Sequence, residues 1–124
     1  MNKANKIAVD FDGTLTRLDV QDFISDLMCK GVDVYVLTFR YEDEHQPYDN
    51  ADLWEVVERL GLSRKVIFTN GNPKSEYLNM TGDFKLLLDD DYRVMSDLTH
   101  NSKVLPIQVS SPNYKKKIIK ILGL

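Results

Sequence analysis

Two pairs of aspartates follow short apolar runs in this sequence. Asp10 and Asp12 come directly after Ile-Ala-Val with one residue between them, and Asp89 and Asp90 come directly after Leu-Leu-Leu. Clustered carboxylates repel one another, so a site that keeps several of them ionised needs a cation. Mg²⁺ suits such hard oxygen ligands, since it binds through a few carboxylates, water and a substrate phosphate. These aspartates therefore predict a Mg²⁺ site.

Positively charged and neutral polar residues also lie at the ends of apolar runs or at the starts of predicted elements. Thr38 ends another apolar run, Lys74 follows an Asn-Pro pair that predicts the start of a helix, and Gly13 permits a turn. A metal ion, a lysine and oriented donors around one point are what phosphoryl transfer needs, because its catalysis is mostly positioning and charge stabilisation. His45 and His100 are far apart in the sequence and are flanked by polar residues, so a zinc site is disfavoured.

The elements that must position these residues alternate along the chain. Short β-rich runs cover residues 7–10, 32–37, 66–69, 85–89 and 104–109. Helical patterns lie between them, over residues 20–30 and 50–60, from 72 to 78, around 94–98, and after Ser111-Pro112. This alternation predicts one α/β domain over residues 1–124, a Rossmann-like three-layer sandwich with a mainly parallel sheet of about five strands and helices on both faces.

The predicted sheet explains why the polar residues matter. In open parallel sheets, sites form beyond the carboxyl ends of the strands, and Asp10, Thr38 and Asp89 all fall at such ends. Pro106 lacks a ladder donor and predicts that the fifth strand lies at an edge.

Four local predictions accompany this outline. Asp19 is the expected N-cap of the first helix and Asp91 that of the fourth, while Ser111 and Pro112 are expected to open the last helix. Cys29, the only cysteine, is expected to be a small buried hydrophobe.

Composition narrows the function classes. The formal net charge of −3 argues against broad attraction to nucleic acid. The basic cluster of Lys115, Lys116, Lys117 and Lys120 is interpreted as the solvated face of a terminal helix, with a nucleic-acid patch as the alternative. No apolar run approaches the roughly 20 residues of a membrane span, and the N-terminus does not resemble a signal peptide. We therefore expect a cytoplasmic protein without a membrane partner.

These motifs together resemble those of the haloacid dehalogenase (HAD) superfamily, in its Asp-x-Asp-Gly-Thr phosphatase branch. The stretch "DFDGTLT" resembles motif I, "VYVLT" motif II, "NPKSEYL" motif III and "KLLLDDD" motif IV, in that order. The resemblance spans roughly residues 7–95 and implies a phosphomonoester hydrolase that depends on Mg²⁺.

The resemblance implies a role for each motif residue. Asp10 is the nucleophile that forms an aspartyl-phosphate, and Asp12 is the general acid, then the base, whose backbone carbonyl also binds Mg²⁺. Thr38 holds a phosphoryl oxygen and Lys74 neutralises charge. Asp89 and Asp90 complete the metal site, with Asp89 favoured as the direct ligand.

Substrate contacts are expected next to these residues. The set comprises Phe11, Gly13, Thr14, Phe39 and Arg40. Arg40 is predicted to contact a phosphate or carboxylate of the substrate, with a surface role as the alternative.

The intervals between the motifs are too short for an inserted cap domain, so a minimal, capless member is expected. The polar segment 41–50, with Tyr41, His45 and Tyr48, is either a substitute lid or a solvated connection. The layout resembles nucleotidases and polynucleotide 3′-phosphatases, which makes a small phosphorylated substrate, a nucleotide or a nucleic-acid end, the first expectation. The sequence leaves open whether the protein forms a homo-oligomer.

The order of the acidic residues argues against one other class of protein with a similar fold. A response-regulator receiver domain would carry an aspartate at the end of the third strand, where this sequence has Thr69-Asn70. A phosphotransferase, a protein phosphatase and a catalytically silent phosphate-binding module remain as alternatives.

Overall fold

A computed structural model describes residues 5–43 and 49–124 of the chain. The described residues form a sheet of five strands: β1 (Lys6–Val9), β2 (Asp33–Thr38), β3 (Val66–Phe68), β4 (Leu86–Asp89) and β5 (Leu105–Gln108). The helices are α1 (Leu18–Cys29), α2 (Ala51–Leu60), α3 (Lys74–Thr81), α4 (Tyr92–Asn101) and α5 (Tyr114–Leu122). A tight turn over Phe11–Leu15 joins β1 to α1.

The sheet has the order β3-β2-β1-β4-β5, and every strand pair in it is parallel. The α/β fold class is thereby confirmed, with helices alternating with strands along the chain. Among the described strands, β5 pairs only with β4, so the prediction that Pro106 lies in an edge strand is also confirmed. The central strand is β1, between β2 and β4.

Side chains alternate between the two faces of the sheet, as a buried strand requires. One face carries Val9, Val36 and Leu88, which pack in a single apolar cluster with residues of α1, α2 and α5. The other face carries Leu37 and Leu87 in a smaller cluster with residues of α3 and α4. The result is a three-layer arrangement in which each strand of the centre is covered on both sides.

Three local predictions were wrong. α1 begins at Leu18 with Arg17 at the cap position, so Asp19 lies in the first turn, where Arg17 and the Tyr114 hydroxyl donate to it. Cys29 is exposed, because it falls outside the stripe that α1 buries through Ile24 and Leu27.

The last helix also begins later than predicted. α5 starts at Tyr114 with Asn113 as its cap residue, after a turn that contains Ser111. The Asp91 cap was predicted correctly, since its side chain accepts from the Arg93 amide. The four lysines of α5 are exposed, whereas its Tyr114, Ile118 and Leu122 are buried. Among the residues described, no helix combines the length and apolar character that crossing a membrane demands.

Candidate functional site

The carboxyl ends of β1 and β4 bring the two acidic motifs together. The Asp10 amide donates to the Leu88 carbonyl at 2.9 Å, which continues the ladder one residue beyond β1. Asp10 therefore lies beside Asp89, the last residue of β4. Both strands are buried on both faces, so the sheet fixes the backbone positions of these two aspartates.

Lys74 lies between these two aspartates. Its Nζ donates to Asp10 Oδ1 and to Asp89 Oδ2, each at 2.7 Å. Lys74 is the first residue of α3, and only 1% of its surface is exposed. A buried ammonium with two charge-assisted hydrogen bonds is a costly arrangement, and removing either kind of partner leaves an uncompensated charge.

Burial shifts the pKa values of the carboxyl groups. Desolvation raises the pKa of Asp10 to about 8, with Asp89 adding to the rise and Lys74 opposing it. The pKa of Asp89 is also raised, again mainly by burial, with Lys74 opposing. One lysine therefore does not fully compensate the negative charge of this cluster, and a further cation would favour the ionised forms.

The turn after β1 shapes the rest of the cluster. Thr14 Oγ1 donates to Asp10 Oδ2 at 3.1 Å, and the Leu15 amide donates to the Asp10 carbonyl at 3.1 Å. Gly13 has φ +75°, and a Cβ built there would lie 2.2 Å from Asp90 Oδ2. A side chain at position 13 would therefore collide with Asp90, in addition to the strain of a positive φ.

The residues present fit a hard divalent cation. Asp10, Asp89 and Asp90 each offer a carboxylate oxygen within 4.8 Å of the other two. Lys74 donates to one oxygen of Asp10 and one of Asp89, and the other two oxygens accept from Thr14 Oγ1 and the Asp91 amide. Each of these oxygens makes one such contact and has a second lone pair that could bind a cation. A set made only of carboxylates suits Mg²⁺ or another oxygen-seeking ion.

Asp12 projects differently from Asp10. Its carboxylate is 58% exposed and accepts from Arg40 at both oxygens, 3.0 Å from Nε and 2.7 Å from Nη2. Arg40 also reaches Asp52, and its guanidinium lies 4.9 Å from the ring centroid of Phe11, which is buried. Asp12 is therefore paired with an arginine, whereas Asp10 is paired with a buried lysine.

Thr38 ends β2 and is 1% exposed. Its hydroxyl accepts from the Arg40 amide at 3.2 Å, and its carbonyl accepts from the Thr69 amide at 2.9 Å. Thr69 Oγ1 is buried and, within the described part of the chain, has no hydrogen-bond partner. Hydroxyls from two neighbouring strand ends therefore lie at this edge of the sheet.

Two cavities adjoin at the site. A cavity of about 290 Å³ is lined by the acidic cluster, Asp12 and Lys74. A second, of about 500 Å³, is lined by Pro73, Val94 and Asp97, among others. Both are bordered by Phe39, Asp91 and Arg93.

Phe39 forms part of the boundary between the two cavities. It is 38% exposed, and Lys74 Nζ lies 4.8 Å from its ring centroid. The ring offers a flat apolar surface to whatever enters from the larger cavity.

Most of the predicted site residues converge. Asp10, Thr14, Lys74, Asp89 and Asp90 form one cluster around the end of β1, while Asp12, Phe11 and Arg40 form a second group beside it. Tyr41 lies near Gly71, whereas His45 and Tyr48, of the segment interpreted as either a lid or a solvated connection, fall outside the described residues.

Sequence reasoning missed Asn50, Asp52 and Arg93. Asn50 and Asp52 flank the start of α2, where polar residues are ordinary capping candidates, so nothing in the sequence marked them as partners of Arg40. Arg93 is in the first turn of α4, in contact with Asp91. No protein-family model matches the chain, and a search of curated proteins finds no match.

Proposed function

We propose that this protein is a Mg²⁺-dependent phosphomonoester hydrolase of the HAD type that acts through an aspartyl-phosphate on Asp10. The observation that carries the proposal is the buried Asp10–Lys74–Asp89 arrangement, with both hydrogen bonds at 2.7 Å and Asp90 alongside. Apolar side chains of similar volume would stabilise the fold at least as well as such a cluster, so stability alone does not account for it. Perturbed carboxyl pKa values in a cavity at the carboxyl ends of parallel strands are instead typical of a catalytic site.

The chemistry divides between the two aspartates of motif I. In the first step, a carboxylate oxygen of Asp10 bonds to phosphorus while the ester P–O bond breaks, and Asp12 gives its proton to the leaving oxygen. In the second, Asp12 takes a proton from water, whose oxygen attacks the aspartyl-phosphate and releases inorganic phosphate. Asp10 and Asp12 both return to their starting states.

The surrounding groups stabilise charge. Lys74 holds Asp10 in place, and the Thr38 hydroxyl is suited to donate to a phosphoryl oxygen. Asp10, Asp89 and Asp90 would hold Mg²⁺, which when bound supplies positive charge that offsets the carboxylates and the phosphate.

Asp12 can serve a leaving group while it contacts Arg40. A carboxyl group has about four lone-pair positions, of which Arg40 uses one on each oxygen and the proton transferred in the first step uses a third. The Asp12 side chain is 58% exposed, so its remaining positions are accessible from the cavity. The contact with Arg40 therefore restrains the carboxyl group without blocking it.

The cavity beside Phe39 supports a substrate with a flat apolar portion. A nucleoside fits that description, because its base can stack on an aromatic ring. A volume of about 500 Å³ lies in the range of small-molecule sites. We therefore retain a nucleotide-type phosphomonoester as the first substrate, ahead of a nucleic-acid end. The cytoplasmic location and the possible homo-oligomeric state remain predictions from the sequence.

The test is phosphate release from a panel of nucleotides, sugar phosphates and 3′-phosphorylated oligonucleotides, with Mg²⁺ and with chelator. We expect turnover that requires Mg²⁺ and is abolished in Asp10→Asn. Asp26→Asn, an exposed aspartate of α1, is the matched control and should keep wild-type activity. Asp12→Asn should impair both chemical steps while leaving metal binding largely intact.

The alternatives predict different results. A phosphotransferase would pass the phosphoryl group to an added alcohol in preference to water. A protein phosphatase would act on phosphopeptides and not on nucleotides. A silent module would bind phosphate and Mg²⁺ without turnover, and that outcome would contradict the proposal.

A further inference from the structure

The guanidinium of Arg40 uses all five of its N–H donors within the protein. Nε and Nη2 donate to the two oxygens of Asp12, at 3.0 and 2.7 Å. Nη1 and Nη2 donate to the two oxygens of Asp52, at 2.7 and 2.9 Å. The remaining Nη1 donor reaches Asn50 Oδ1 at 3.3 Å. Arg40 has five such donors in a rigid plane, so none is left for another ligand in this arrangement.

The acceptors on the far side of Arg40 belong to the start of α2. Asp52 lies in the first turn of that helix, and Asn50 is its cap residue. Asn50 is 1% exposed and is itself held, since its amide nitrogen donates to the Tyr41 carbonyl at 2.8 Å. The helix thus gives Arg40 a fixed support on the side away from Asp12.

Asp12 has no comparable support of its own. Its side chain is more than half exposed and extends from the turn after β1. An exposed carboxyl group with two free torsions samples several orientations unless a partner restrains it. The bidentate contact with Arg40 fixes the plane of the carboxyl group, and Arg40 is in turn fixed by Asp52 and by the Phe11 ring under it.

We propose that Asp52, assisted by Asn50, is a positioning residue that holds Arg40 so that Arg40 orients the carboxyl group of Asp12. This inference rests on the proposed function, because orientation matters for catalysis only if Asp12 serves the leaving group. It also assigns Arg40 to the support of Asp12 and away from direct substrate binding. Asp52 touches neither substrate nor metal in this scheme.

Loss of Asp52 would release Arg40 on one side. Two of its donors would lose their partners, and the guanidinium could turn toward water or toward the cavity. Arg40 would then no longer define one plane for Asp12. A small misplacement of an acid costs reaction rate without weakening substrate binding, because proton transfer depends on alignment.

The experiment compares the Asp52→Ala variant with wild type on two substrates. An alkyl phosphate has a poor leaving group and needs the acid, whereas para-nitrophenyl phosphate has a good leaving group and scarcely needs it. The ratio kcat/KM reports the steps up to departure of the leaving group, so hydrolysis of the aspartyl-phosphate does not enter it. We expect kcat/KM to fall on the order of tenfold for the alkyl phosphate and less than about twofold for the aryl phosphate.

Asp19→Ala is the matched control. Asp19 also lies in the first turn of a helix and makes a two-point contact with an arginine, Arg17. Its loss should change the two kcat/KM values equally or not at all. Equal losses of kcat/KM on both substrates in Asp52→Ala would overturn the inference, because they would mean that Arg40 binds the phosphate group that the two substrates share.

A structural measurement separates this inference from the proposed function. In crystals of Asp52→Ala, we expect the Asp12 carboxyl group to leave its single orientation, whether or not the wild type hydrolyses any phosphate. An Asp12–Arg40 contact identical to that of the wild type would overturn the positioning role. Absence of wild-type turnover, combined with a displaced Asp12, would overturn only the phosphatase proposal.

Discussion

Gly13 and Asp90 lie so close that a Cβ at position 13 would come within 2.2 Å of Asp90 Oδ2. The two residues belong to different motifs and reach each other because β1 and β4 are neighbours in the sheet. The turn after Asp10 thus closes one side of the acidic cluster, and its shape depends on a residue without a side chain.

We predict that Gly13→Ala lowers the free energy of unfolding by roughly 1–3 kcal/mol and weakens the response to Mg²⁺. Part of the loss comes from the positive φ of +75° and part from displacement of Asp90. Gly61→Ala is the control, because φ there is +78° and, apart from the adjoining backbone, no atom of the described residues lies within 4 Å of the new Cβ. Denaturant titrations with and without Mg²⁺ measure both effects. Equal Mg²⁺ responses in the two variants would show that the contact with Asp90 is irrelevant.

Lys74→Met should be strongly destabilising. It leaves Asp10 and Asp89 buried without their shared cation, and breaking a buried pair costs about 3–5 kcal/mol. Lys65→Met removes a lysine whose ion pair with Asp33 is much more exposed, so we expect about 0–1 kcal/mol there. Chemical denaturation at about pH 9, above the pKa of Asp10, gives both values. Similar values for the two variants would contradict the view that the Lys74 cluster is buried and tightly coupled.

Mg²⁺ should raise the melting temperature, and the rise should grow with pH. Burial raises the pKa of Asp10 from 3.8 to about 8, so this group favours the folded state below pH 3.8 and loses that contribution as the pH rises through about 8. Mg²⁺ binds the ionised carboxylates, so its stabilisation increases over the same interval. Thermal melts from about pH 5 to about pH 9, with and without Mg²⁺, measure the effect.

Two variants test whether this Mg²⁺ effect arises at the proposed site. Asp90 is exposed, so Asp90→Asn can remove one ligand of the cluster without disturbing the core. We expect this variant to lose most of the Mg²⁺-induced rise. Asp83→Asn, in a surface pair with Lys6, should keep it. A Mg²⁺ effect of the same size in Asp90→Asn would place the ion elsewhere.

Phe39→Ala should discriminate between substrate classes. If a base stacks on the ring, the variant loses about 1–3 kcal/mol of binding for a nucleotide and little for an alkyl phosphate. The ratio of the two kcat/KM values should therefore fall roughly fivefold or more. Tyr92→Ala removes an aromatic ring that is 73% exposed and that lines neither cavity, and it should leave the ratio unchanged. Parallel losses on both substrates would argue against stacking.

The fold was predictable because its signals are local. Apolar runs such as Leu-Leu-Leu before Asp89 mark strands buried on both faces, and Pro106 marks an edge. The rule that sites form at the carboxyl ends of parallel strands then places Asp10, Thr38 and Asp89 on one side of the sheet. The structure brings these strand ends together as predicted.

The ends of helices were harder to predict than the strands, because they depend on how the preceding turn leads the chain into the helix. The turn over Phe11–Leu15 delivers the chain to α1 at Leu18, so Asp19 falls in the first turn. Cys29 is the last residue of that helix and lies away from its apolar stripe. The residue type of this cysteine and its position in an apolar helical stretch predicted burial, but it lies on the exposed face of the helix.

The partners of Arg40 illustrate a different limit. Several acidic residues lie within reach of an arginine at that point in the sequence, and spacing does not rank them. Packing of α2 beside the end of β2 selects Asp52, while the turn after β1 supplies Asp12. Such a contact between three segments is a property of tertiary structure and leaves no periodic signal in the sequence.

The central place of β1 has a consequence for how the protein is made. Ile7 pairs with Leu86, so the middle strand cannot pair with this neighbour until residues 86–89 have left the ribosome. Contacts between such distant segments form late and slowly. Asp10 and Asp89 are separated by this same interval, so a nascent chain cannot complete the acidic cluster before the sheet has closed around β1. Formation of the Asp10–Lys74–Asp89 cluster is therefore coupled to formation of the sheet.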